Sequence, residues 1–117
     1  MKSHQKQVGE SRSSERIPLQ CSIVLASGIQ VGEGEVLNVS DRGCLVESSV
    51  SLKAGDYLQL RISLPGSEPS MRVSRAAVCW AQGLRFGVEF MEMEEKDRAR
   101  LNHFVSLQTD PWVKTYY

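Results

Sequence analysis

The sequence has no surplus of charge. Fourteen Lys and Arg balance fourteen Asp and Glu over 117 residues. It therefore lacks the broad electropositive face that drives non-specific nucleic-acid binding, no nucleic-acid partner is expected, and any anion site must be local. Long apolar runs are missing too: none approaches the roughly 18 residues that a membrane helix needs, so no membrane insertion is expected. The opening Met1-Lys2-Ser3-His4-Gln5-Lys6-Gln7 carries lysines but no apolar stretch behind them, which does not make a secretory leader, and a cytoplasmic protein is expected.

Reactive side chains are also scarce. Cys21, Cys44 and Cys79 are odd in number and widely spaced, which argues against a disulfide framework and against a zinc site. Each lies in an apolar run and reads as a small buried core residue. Of the two histidines, His4 sits in a polar terminus, and His103 has Ala99 and Leu107 as its four-apart neighbours, neither a metal ligand. There is no G-x-S-x-G elbow, no H-E-x-x-H, and no glycine-rich phosphate loop ending in Lys-Ser or Lys-Thr. Catalysis, a metal and any cofactor are accordingly not expected.

What is present is the texture of one small β domain. Residues 1–16 are polar, with an isolated Val8, and predict a flexible arm. From Ile17 the chain turns apolar and β-branched, Ser27-Gly28 supplies a turn, and a second run continues to Asn38, which together predict a hairpin. Gly32 and Gly34 in that run indicate a bulge or a close backbone approach. A short third strand covers Gly43 to Glu47. Leu58, Leu60, Ile62 and Leu64 alternate with polar residues in a fourth, and Pro65-Gly66-Ser67-Glu68-Pro69 then turns the chain.

In the fifth strand Met71 and Val73 hold one parity while Ala76, Val78 and Trp80 hold the other, so the buried face switches near Arg75, as at a bulge or barrel corner. Leu84, Phe86, Val88 and Phe90 alternate in a sixth. From Glu92 to Leu107 the period becomes helical, with Leu101, Phe104 and Val105 on one face. Six strands without helical crossovers predict an all-β, six-stranded antiparallel barrel, closed or nearly closed, covered by a C-terminal helix. The expected organisation is an arm over 1–16, barrel and helix over 17–107, and an aromatic tail over 108–117. That tail, with Pro111, Trp112, Tyr116 and Tyr117, either packs on the barrel or offers a strip to a partner.

Two polar stretches remain. "RSSER" places Arg12 and Arg16 four apart. Extended, their side chains stand about 13 Å apart; a turn brings them within about 6 Å, near enough to clamp one compact anion. "NVSDRG" holds Asn38 and Ser40 two apart, on one face of a strand end, followed by Gly43, where no Cβ obstructs a ligand. Read singly, the first is also an ordinary charged terminus and the second an ordinary polar turn.

Taken together and in this order, they resemble the PilZ domain family, bacterial receptors for the second messenger cyclic di-GMP. That family carries R-x-x-x-R in an N-terminal loop and, after a strand hairpin, [DN]-x-S-x-x-G. The resemblance continues through "LKAGDYLQLRISLPG" and from "VCW" to "RFGVEF", and covers roughly residues 12 to 105. It implies that Arg12 and Arg16 form an arginine clamp on cyclic di-GMP, over a floor of Asn38, Ser40 and Gly43. The chemistry agrees, because a guanidinium fork meets the O6 and N7 acceptors of guanine and also meets a phosphate bidentately.

Asn38 replaces the commoner aspartate and spares the site a carboxylate beside an anionic ligand. Trp80 matches an aromatic position of the family, and either stacks on a guanine or packs in the barrel. The expected function is a cyclic di-GMP receptor whose arm closes on the ligand and presents a new surface to a downstream protein. The alternatives are a protein–protein adaptor with a vestigial nucleotide site and, against the neutral charge balance, a single-stranded nucleic-acid-binding barrel.

Overall fold

The computed structural model describes residues 15–109. Six strands, β1 (Ile17–Ser27), β2 (Gln30–Val39), β3 (Gly43–Ser48), β4 (Tyr57–Ile62), β5 (Met71–Gln82) and β6 (Arg85–Glu92), precede one helix, α1 (Glu95–Thr109). All neighbouring strands pair antiparallel, and the order β1-β2-β3-β6-β5-β4 closes into a barrel through β1–β4 pairing, with Ile23 opposite Ile62 and Leu25 opposite Leu60. Closure pairs the two outer strands over Ile23–Ala26 and Gln59–Ile62, which blunts the edge that an open sheet would present. The expected barrel and helix are thus observed; the arm up to residue 14 and the tail from residue 110 lie outside the described residues.

The alternation read in the sequence fills the barrel. Leu58, Leu60 and Ile62 point in, while Tyr57, Gln59 and Arg61 point out. Phe86, Val88 and Phe90 project from β6 between Ile23, Leu25, Val36 and Val46, all buried. The expected switch of faces in β5 is a bulge against β4, where Val73 to Ala76 takes three steps against two from Leu60 to Leu58, and β6 carries an extra residue of its own, Met91, opposite the Arg75–Ala76 step. An extra residue on one strand slips its parity against its partner, so both flanks of the switch present apolar residues inward.

A second shift in β5, between Val78 and Trp80, carries no signal in the alternation. It makes Cys79 the extra residue and turns Trp80, which shares sequence parity with Ala76 and Val78, to the outside, where its side chain is 45% exposed. Cys79 is exposed as well, so only Cys44 of the three cysteines is fully buried, with Cys21 half-buried. Leu84 also departs from expectation. It sits with Gly83 in the β5–β6 turn and is exposed, because Gly83 takes a positive φ of 62° and ends the strand before it.

α1 lies across the end of the barrel where β1 begins. Leu101 is fully buried there, and Phe104 and Val105 pack on the core alongside Leu19 and Cys21. Polar ties hold the helix at both neighbouring loops. Arg98 Nη1 donates to the Asp41 carbonyl at 3.5 Å. Arg100 pairs with the buried Asp97 at 3.0 Å, and its other nitrogen donates to Ser67 Oγ and the Pro69 carbonyl. Asp97 lies in the first turn, where the helix dipole favours a carboxylate.

Candidate ligand-binding site

The two motif segments meet where β1 begins and β2 ends. Ile17 faces the core, so Arg16 and Pro18 on either side of it face solvent, and Pro18 pairs with Asn38. Simple alternation from the buried Val36 would turn Asn38 inward. The register shift between Val36 and Asn38 makes Leu37 the extra residue and puts Asn38 on the outer face opposite Leu45. Arg16 Nη1 then donates to Asn38 Oδ1 at 3.2 Å. Arg12, the other arginine of the motif, lies outside the described residues.

Ser40 and Gly43 are placed differently from the expectation of a shared polar face. β2 ends at Val39, and the buried Ser40 turns into its own loop: its Oγ accepts from the Arg42 amide at 3.1 Å and its amide donates to the Gly43 carbonyl at 2.9 Å. The serine is thus the staple of a tight turn. Gly43 is required by the next strand, since a Cβ there would collide with the Val88 carbonyl oxygen and lie 3.3 Å from Glu89 Cα. The Phe90 amide donates to the Arg42 carbonyl at 2.8 Å and locks the turn onto β6. Asp41 Oδ1 is buried with no hydrogen-bond partner among the described residues.

Register links this corner to Trp80. Asn38 pairs with Leu45, Leu45 with Gly87, and Gly87 with Trp80. Directly paired residues share a face, so Arg16 and Asn38 at one end and the indole at the other belong to one outer surface. Three strand spacings of about 4.8 Å separate Asn38 from Trp80, about 14 Å in all. Gly87 matters here: a Cβ would collide with the indole Nε1 and come within 3.0 Å of Cε2, so the ring lies directly over the bare backbone. Leu45 and Gly87 were not singled out from the sequence, although the glycine interrupting the alternation of "RFGVEF" is the signal that would have marked a close approach.

A family model described as PilZ domain matches residues 10–107. The chain belongs to the PilZ domain family. Solved structures share the fold. The Bacillus subtilis inhibitor of motility MotI/DgrA superposes with a TM-score of 0.65 at 19% identity, over 77% of this chain and 47% of that one. The PilZ domain of CeSA from a cellulose-synthesizing bacterium gives 0.62 at 19% identity, over 79% and 95%. This chain thus spans about half the length of MotI/DgrA, and at such identities the likeness is one of fold. No curated protein sequence matches it.

The Arg16 guanidinium acts on the buried Cys44 thiol beneath it, but burial dominates and pushes that thiol far up, so it stays protonated. Cys21 is pushed up to about 11, by burial first and by Glu35 second. Neither thiol is a nucleophile at neutral pH. Arg85 pairs with Glu47 across β3–β6 at 3.2 Å, which occupies it beside the platform. No helix among the described residues is long and apolar enough to cross a membrane.

Proposed function

We propose that this PilZ domain is a receptor for cyclic di-GMP, bound on the outer face that runs from Arg16 and Asn38 over Leu45 and Gly87 to Trp80. The observation that carries the reading is that single register row: it joins a guanidinium fork, an amide and an exposed indole on one surface. Its span of about 14 Å suits a planar base lying on the indole while the arginine meets a guanine edge or a phosphate. Base–aromatic stacking contributes about 1 to 3 kcal/mol, and each charge-assisted hydrogen bond about 1.5 to 3 kcal/mol.

In this reading Arg12 and Arg16 clamp the ligand, Asn38 accepts from guanine N–H groups, Ser40 and Gly43 hold the loop in shape, and Trp80 stacks. Arg16 is already held by Asn38, so the hinge of the arm lies at Arg16, and the ligand replaces an exposed hydrogen bond of small net worth. Residues 1–16 close over the dinucleotide and change the surface that a downstream protein reads. Amide hydrogen exchange tests the closure. Cyclic di-GMP should slow exchange at Ser11 to Ile17 and at Asn38 to Gly43 while β4 stays protected throughout. An arm fully protected before ligand is added would replace the closing arm with a preformed site.

A further inference from the structure

On the flank away from the motifs, the outer surface of β1, β4 and β5 is concave. A groove of about 480 Å³ has Val24 and Ala26 on its floor and Gln59, Arg61, Arg72 and Ser74 along its walls. A second hollow continues past Gln59 and Ser74 to Tyr57 and Arg75. Arg61 and Arg72 are direct cross-strand partners, and both are exposed. Like charges placed directly opposite destabilise a sheet, yet among the described residues neither arginine has an ion pair or a side-chain hydrogen bond.

No carboxylate nearby pairs with either arginine among the described residues. Glu94, the one acid lining the groove, pairs with Lys96 at 3.7 Å. Glu92 pairs with Arg75, also at 3.7 Å, and the Arg75 guanidinium lies 4.4 Å over the Tyr57 ring. Glu33 shares the same register row across Val24, but among the described residues it makes no ion pair with Arg61. The fold therefore builds a repulsive arginine pair and leaves it without an ion-pair partner among the described residues.

We propose that this groove docks an extended acidic segment of a partner protein, with one carboxylate seated between Arg61 and Arg72. A guanidinium fork matches a carboxylate bidentately, and an anion between the two arginines turns their repulsion into attraction. The floor decides between a peptide and a bare anion: Val24 is 42% exposed, and together with Ala26 and Tyr57 it offers apolar area to neighbouring side chains. From Arg61 to Tyr57 is four residues of strand, about 13 Å, which a similar length of extended peptide spans. Arg72 and Trp80 stand eight residues apart on β5, so the groove and the ligand face can be occupied together, and the proposal does not depend on cyclic di-GMP binding.

The test uses the full chain and a fluorescein-labelled peptide of about eight residues alternating glutamate and alanine, read by fluorescence anisotropy. Saturable binding is expected, with none to the matching lysine–alanine peptide. Arg61→Glu supplies the missing carboxylate opposite Arg72 within the sheet. It should keep or raise the melting temperature while weakening the peptide at least about tenfold, as for loss of a paired interfacial charge. Arg72→Gln, which removes the charge without reversing it, should also weaken binding. No binding to the parent, or equal binding by Arg61→Glu, overturns the proposal. So does equally tight binding of a labelled oligothymidylate of the same length, which would make the groove a phosphate reader.

Discussion

Gly43→Ala is the substitution that best separates a glycine kept for the ligand from a glycine kept for the barrel. The added methyl would be driven into the Val88 carbonyl oxygen, with Val88 C at 3.1 Å and Glu89 Cα at 3.3 Å. All three are backbone atoms of the paired strand, and none can rotate aside. β3 must lift from β6 at the Gly43–Glu89 pair, which strains the 2.8 Å bond from the Phe90 amide to the Arg42 carbonyl. Overpacking of this kind costs about 1 to 3 kcal/mol and a weakened backbone hydrogen bond about 1 kcal/mol more, offset by about 0.5 to 1 kcal/mol of backbone entropy that alanine saves over glycine.

The net expectation is a loss of about 1 to 3.5 kcal/mol. At about 4 to 8 °C per kcal/mol for a domain of this size, the melting temperature should fall by at least about 4 °C without any ligand present. Thermal denaturation followed by circular dichroism, with a urea titration beside it, measures this directly. A variant melting within about 2 °C of the parent would refute the strand-approach account and return Gly43 to a role at the ligand.

Other perturbations test other parts of the account. Trp80→Ala should melt close to the parent, since the ring is exposed, while cyclic di-GMP binding weakens by about 1 to 3 kcal/mol; Gly87→Ala should imitate it by displacing the indole, and parental ligand affinity in both variants would remove the indole from the site. Leu101→Ala should cost about 2 to 5 kcal/mol by leaving a cavity under α1, and a change below about 1 kcal/mol would mean the helix does not plug the barrel. A thiol reagent should modify Cys79 first and reach Cys44 only on unfolding. Because the folded Cys21 titrates at about 11, above its ordinary value of 9.0, the stability it confers is intact below pH 9 and is lost as pH rises from about 9 to 11.

The barrel was readable because its strands obey period two, and each tight turn is marked by residues that fit it, as in Ser27-Gly28 and Pro65-Gly66. The change of face near Arg75 was also readable, since apolar residues stand on both parities there. The bulges at Leu37 and Cys79 were not. Each adds a residue that leaves the local apolar pattern intact, and only cross-strand register reveals that Asn38 and Trp80 turn outward together. The polar motifs were visible as residue types at fixed spacing, but spacing could not tell a ligand contact from a loop staple. Ser40 and Gly43 gained their structural reasons only once β6 was placed against them. The groove between Arg61 and Arg72 escaped for the same cause: the two lie eleven residues apart and become neighbours only through β4–β5 register.

The central claim is that the outer face holding Arg16 binds cyclic di-GMP, and calorimetric titration of the parent chain and of Arg16→Ala tests it most directly. Arg16 is exposed and outside the core, and its one hydrogen bond among the described residues is to Asn38, so the variant should melt like the parent. The account predicts saturable binding by the parent and a loss of about 2 to 5 kcal/mol in the variant, as for removal of one charged partner of a hydrogen-bonded pair. A parent that takes up no cyclic di-GMP, or an Arg16→Ala variant that binds it equally well, would contradict the account.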